Sequence, residues 1–144
     1  VVIGRLGLAL TCALLLGCAA QGTGPASITP YPAPAGGTSL ALTVAPPLVL
    51  PSGAVEACDQ ALFGPIRVVL SGTVLSFVSV DTGMTVELIW PHGFAAWLIN
   101  GKAEIVAPDG TVIGFSGDVL SDLGGGGGPG NASSVCGIGN RIYP

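Results

Sequence analysis

MTVELIWPHGFAAWLINGKAEIVAPDGTVIGF (residues 84–115) decides the fold. Met84, Val86, Leu88 and Trp90 alternate with Thr85 and Glu87. A period of two places one set of side chains on a buried face and the other in water, as in a half-buried antiparallel strand. Two turns with a physical cause follow, Asn100-Gly101-Lys102 and Pro108-Asp109-Gly110. In each, glycine supplies positive φ, and Asn or Asp can bond its own backbone. No helical period is sustained.

Working outward, Asp81-Thr82-Gly83 makes a third such turn, and strands are expected at 66–71, 73–80, 84–90, 95–99, 103–107, 111–115 and 118–121. The class is therefore all-β. A sheet apolar on one side needs a second layer or closure, and closure also removes exposed edges. The expectation is a small antiparallel meander closing into a five- to seven-stranded barrel within residues 56–144. LGGGGGPGNASS (residues 123–134) reads as a flexible loop: it has no Lys-Ser or Lys-Thr to hold phosphate.

Before residue 56 the composition changes. No charge falls between Arg5 and Glu56, and Pro stands at 25, 30, 32, 34, 46, 47 and 51. Proline fixes φ and removes backbone donors, so residues 18–55 read as a semi-extended linker at about 3.1 Å per residue. Within it, SLALTV (residues 39–44) alternates well enough to add an edge strand.

The first 17 residues hold one positive charge, about a dozen apolar residues and then small ones. That run is too short for a helical span, which needs roughly 20 apolar residues, and fits the apolar stretch of a signal peptide. Leu15-Leu16-Gly17-Cys18 resembles the lipobox of bacterial lipoproteins. The resemblance implies cleavage before Cys18, a diacylglyceryl group on its thiol, an acylated new amino terminus with palmitate-type chains, and export with anchoring to the bacterial membrane. Each buried CH₂ contributes about 0.8 kcal/mol, so two or more chains hold a protein that has no polybasic segment. Cys12 would leave with the signal.

From Cys18 onward the chain carries Arg67, Lys102 and Arg141 against eight acidic residues. Nucleic-acid partners, bound through clusters of Lys and Arg, are not expected. Cys58 and Cys136 remain in the exported part, where leftover cysteines most often pair. Closing 77 intervening residues would contribute roughly 4–5 kcal/mol in the chain-entropy account.

Residues that carry chemistry are few. His92 is the only histidine, and a zinc site needs three or four ligands, so it reads as a turn residue after Pro91. A trio of His92, Ser116 and Asp118 can be assembled on paper, but GFSGD (residues 114–118) lacks the nucleophile-elbow spacing. A small envelope hydrolase using His92 with Ser116 or Asp118 is thus the alternative, and no enzyme is the expectation. Asp118, Asp122 and Asn131 lack EF-hand spacing for calcium, and no cofactor is implied. The aromatic stretch WPHGFAAW (residues 90–97) is the candidate binding patch: Trp90, His92, Phe94 and Trp97. Trp90 lies on the buried face of its strand, whereas Trp97 is open between core and surface.

The order of LIWPHG, PDG, GDV, the glycines and Cys136 resembles small β-domains of exported lipoproteins, especially those of high-GC Gram-positive bacteria. The resemblance covers about residues 66–136 and implies a barrel like the oligonucleotide/oligosaccharide fold, with no activity attached. The expected protein is a lipid-anchored, non-catalytic envelope protein of unknown molecular activity, either a binding module that engages another envelope protein or a glycan, or a structural module.

Overall fold

The computed structural model describes residues 31–47 and 61–143. Thirteen strands and no helix occur among them: β1 (Thr38–Leu40), β2 (Ala61–Leu62), β3 (Ile66–Ser71), β4 (Val74–Ser79), β5 (Thr85–Val86), β6 (Leu88–Ile89), β7 (Ala95–Ile99), β8 (Lys102–Val106), β9 (Val112–Phe115), β10 (Val119–Leu120), β11 (Leu123–Gly127), β12 (Ser133–Ile138) and β13 (Arg141–Ile142). The class is all-β. The strands form three sheets rather than one closed barrel: β1-β7-β8-β9, β10-β3-β4-β5, and β13-β12-β11-β2, with β6 added to β12 in parallel.

The turns read from sequence set the hairpins. Asn100 and Gly101 have φ of 49° and 78°, so the two-residue loop is of the I′ kind, whose twist suits the flanking strands. Ile99 therefore pairs with Lys102, Leu98 with Ala103 and Trp97 with Glu104. Gly72, at φ 62°, turns β3 into β4 with Ser71 opposite Val74.

Three stretches differ from expectation. The single strand expected over 84–90 is split at Glu87: β5 pairs with β4, and β6 pairs with β12 in another sheet. The Glu87 carbonyl accepts the Ser133 N–H at 2.9 Å, so this carbonyl keeps a partner where the chain changes sheets. The glycine run is a strand, not a loop. β11 pairs with β12 on one side and β2 on the other, with a bulge between Gly124 and Gly125. Residues 38–44, read as linker with an optional edge strand, join the domain. Thr38, Ser39 and Leu40 pair with Leu98, Trp97 and Ala96, and Trp90 N–H donates to the Thr43 carbonyl.

The core draws on all three sheets. Ile66, Val68 and Phe77 meet Leu88, Trp90, Phe94, Ile105, Leu123 and Val135. Trp90 is fully buried, with ring centroids 5.5 Å from Phe77 and 5.6 Å from Phe94, and Phe94 is 4.9 Å from Tyr143. The chain passes from the first sheet to the second at a corner, where Ser116 N–H donates to Ala103 and Gly117 N–H to Val68.

At the far end, the Asp109 carboxylate accepts the Thr111 N–H at 2.9 Å, and the Arg141 guanidinium donates to Asp109 at 3.1 Å and to Thr111 Oγ1 at 3.0 Å. This ties β13 to the β8–β9 hairpin. The Thr111 backbone N–H, then its hydroxyl, then the Arg141 charge hold the Asp109 carboxyl below its ordinary 3.8. A depressed carboxylate stabilises the fold above its unfolded value and ceases to do so as pH falls through its folded value. The melting-temperature gap between wild type and Asp109→Asn should therefore be present near neutrality and close below pH 3.8. Thermal melts of both proteins across that range check it, and a gap constant with pH would contradict it.

Candidate functional site

The sheet β1-β7-β8-β9 has one face in the core and the other partly open to solvent, with Val106 on that second face buried at its end. Its inner row, Leu40-Ala96-Ile105-Gly114, is buried throughout. One register step along runs Ser39-Trp97-Glu104-Phe115. Residues directly opposite one another in an antiparallel pair point to the same side, so these four side chains form a row on the outer face. Ser39 is exposed, Trp97 and Glu104 are half-buried, and Phe115 is 41% exposed.

Each member arrives by a different route. Trp97 and Glu104 face each other because of the Asn100-Gly101 turn. Ser39 is set by the pairing of β1 with β7. Phe115 reaches the row because a bulge between Ile105 and Val106 shifts the register of β9. Trp97 Nε1 has no contact with water and no polar partner among the described residues, so the part of the indole that reaches solvent is ring carbon. Glu104 forms no ion pair or side-chain hydrogen bond among the described residues. At the β1 edge the row opens into a hollow of about 430 Å³, lined by Tyr31, Pro32, Ser39, Ala95 and Trp97 among others. Tyr31 also lies against the β8–β9 turn: a Cβ on Gly110 would stand 2.6 Å from Tyr31 Cε2.

A second hollow, about 350 Å³, lies on the sheet holding β11. There Leu62, Gly124, Gly137 and Ile142 are aligned across four strands. Its floor is glycine backbone between two exposed aliphatic side chains.

The four residues of WPHGFAAW separate. Trp90 and Phe94 are core, at 0% and 3% exposure, so neither can present a ring to a partner. The reason lies in the turn: Pro91 and Gly93, the latter at φ 86°, are buried with them and fold the segment inward. His92 and Trp97 are half-buried. Only Trp97 belongs to the outer row.

His92, Ser116 and Asp118 are not brought together. His92 precedes the start of β7, at the Val106 end of the sheet, whereas the Ser116 N–H bonds to Ala103 at the other end. Ala103 and Val106 alone are separated by about 10 Å at the usual strand rise. Ser116 Oγ accepts the Ala103 N–H at 3.1 Å, and Asp118 Oδ2 accepts the Phe115 N–H at 2.9 Å. Both side chains thereby shape the corner between two sheets.

Cys136 is half-buried on β12 and is not a free thiol. Cys18 and Cys58 lie outside the described residues, as does the whole lipobox. Among the described residues, no three His, Cys, Asp or Glu side chains gather as metal ligands.

Sequence reasoning missed Tyr31, Ser39, Glu104 and Phe115. The Trp97–Glu104 pair is missed when the turn is read as the three residues Asn100-Gly101-Lys102, which sets Trp97 opposite Ile105, whereas Lys102 already pairs with Ile99. Phe115 is missed because a bulge leaves no mark in an apolar run.

The chain matches no protein-family model, no curated protein and no solved structure.

Proposed function

We propose that this protein is a lipid-anchored, non-catalytic binding module of the bacterial cell envelope. Acylated Cys18 holds it to the membrane, and the outer face of the β1-β7-β8-β9 sheet engages an envelope component. The observation that carries the binding half is the Ser39-Trp97-Glu104-Phe115 row, where two aromatic side chains flank a carboxylate with no ion pair among the described residues on a partly open face. Aromatic carbon in water is favourable to cover, and such residues anchor binding surfaces. The anchoring half rests on the lipobox sequence. A Cys58–Cys136 disulfide closes the domain in this reading, supported by Cys136 not being free. A strongly acidic balance and the lack of a basic cluster speak against nucleic acid as partner.

Two measurements test the two halves. The mass of the full chain recovered from bacterial membranes should show acyl groups, and Cys18→Ser should abolish them and free the protein from the membrane fraction. On purified envelope fragments, Trp97→Ala should lower retention of the full chain by a factor of about 30 or more, the size of an aromatic anchor worth about 2 kcal/mol. Its circular dichroism should be unchanged. Undiminished retention would remove the outer face as the binding surface.

A further inference from the structure

We infer that the outer row binds an extended, uncharged, 1,4-linked glycan, one sugar ring per strand. This rests on the binding-module reading above and names its ligand. Neighbouring strands lie about 4.8 Å apart, so Trp97 and Phe115, two strands from each other, stand about 10 Å apart. One ring of an extended 1,4-linked chain advances about as far as one strand spacing. A chain laid across the strands therefore puts one ring on Trp97, the next over Glu104 and the third on Phe115. Ser39, one spacing beyond Trp97, meets a fourth.

The chemistry alternates in the same order. A pyranose shows an apolar C–H face and a rim of hydroxyls. The C–H face suits the carbon surface that Trp97 presents, since its Nε1 is sealed from solvent, and suits Phe115, which is 41% exposed. The hydroxyl rim suits Glu104, whose carboxylate only accepts hydrogen bonds and has no partner among the described residues. Bonds to a charged acceptor are the stronger kind.

That carboxylate also discriminates between kinds of partner. Under an apolar protein surface it would be covered without a counter-charge, which is costly. Sugar hydroxyls satisfy it. An acidic glycan would bring like charge against Glu104 on a chain that is already net negative, so the ligand is uncharged along the stretch it lays on the row. Ala95, next to Trp97 on the same face of β7, is small enough to leave the indole uncrowded, and the hollow beside Tyr31 leaves room for the chain to continue past Ser39.

The test titrates the full chain with chitohexaose and cellohexaose, and with the disaccharide of each, following tryptophan fluorescence. Trp90 is fully buried, so a change reports Trp97. At least one hexasaccharide should bind at least about ten-fold more tightly than its disaccharide, because two rings cannot span Trp97 and Phe115. Phe115→Ala should reduce the hexasaccharide to disaccharide affinity, Glu104→Ala should weaken it about five-fold or more, and Trp97→Ala, titrated by calorimetry because it lacks the reporting indole, should abolish binding. Val74→Ala, at an exposed position on another sheet, should change nothing and controls for general surface effects. Failure of both hexasaccharides to bind, absence of length dependence, or an unaffected Phe115→Ala would overturn the assignment. Protease-digested envelope fragments separate this failure from that of the broader reading. Trp97-dependent retention should survive digestion if the ligand is glycan. Retention only on undigested fragments would leave the binding module standing with a protein partner and overturn the glycan, and no Trp97-dependent retention on either would end both.

Discussion

Gly125→Ala should unfold or severely destabilise the protein, with a loss of about 3 kcal/mol or more, at the upper end of what overpacking costs. Gly125 sits on β11 just after the bulge and is paired with Val135. A Cβ there would overlap the Ser134 carbonyl oxygen, stand 2.9 Å from the Ser134 carbonyl carbon and 2.8 Å from Phe63 Cζ. A flexible side-chain end can swing away; a strand backbone bonded on both sides cannot. The two strands would have to part, and β11 holds β2 to β12. Gly127 supplies the comparison within the same strand. A Cβ at that position meets nothing within 4 Å, so Gly127→Ala should stay within about 1 kcal/mol of wild type, its lower unfolded-state entropy offsetting any small loss. Thermal melts of both variants check the contrast. An expected drop of roughly 10–20 °C for Gly125→Ala, against a few degrees for Gly127→Ala, separates steric need from mere glycine abundance. Equal melting temperatures would show that β11 is not packed as described.

Trp90→Ala should cost about 3–5 kcal/mol, the range for emptying a large aromatic site. Trp90 is fully buried and is the middle ring of the Phe77-Trp90-Phe94 contact series. It also joins parts of the chain distant in sequence: its N–H bonds to the Thr43 carbonyl, and its carbonyl accepts the Ala45 N–H. Those backbone bonds survive truncation, so the loss comes from the cavity and the ring contacts. Trp90→Phe should cost far less, about 1.5 kcal/mol or below. Phenylalanine keeps a ring between Phe77 and Phe94, and it removes an indole N–H that has no hydrogen-bond partner among the described residues. Urea unfolding of the two variants decides the point. If Trp90→Phe proved as damaging as Trp90→Ala, the indole N–H would have to be making a bond essential to the core.

The two tryptophans show how far a pattern reaches. Trp90 lies on the face that strict alternation from Met84 marks as buried, and it is buried. Met84 itself, first in the same series, is 68% exposed, because the strand breaks at Glu87 and its two halves belong to different sheets. The outward placement of Trp97 follows from its opposite parity to Leu98 and Ala96, the latter buried against Leu40.

What the amino-acid sequence by itself determined is the all-β class and the main hairpins. These are local: glycine or asparagine at positive φ and a period of two act within a few residues, and a two-residue turn sets the register of both flanking strands. Only the tertiary structure decided that the sheets number three, that the glycine run is a strand, that residues 38–44 belong to the domain, and that Phe115 completes the outer row. Each of these depends on contact between segments far apart in the chain. Glycine without side chains leaves no hydrophobic pattern to read, yet a strand of glycine allows the close backbone approach that Ser134 makes to Gly125. The partners across a sheet are chosen by packing and by the pairing of every buried backbone group, and those conditions apply to the folded chain as a whole.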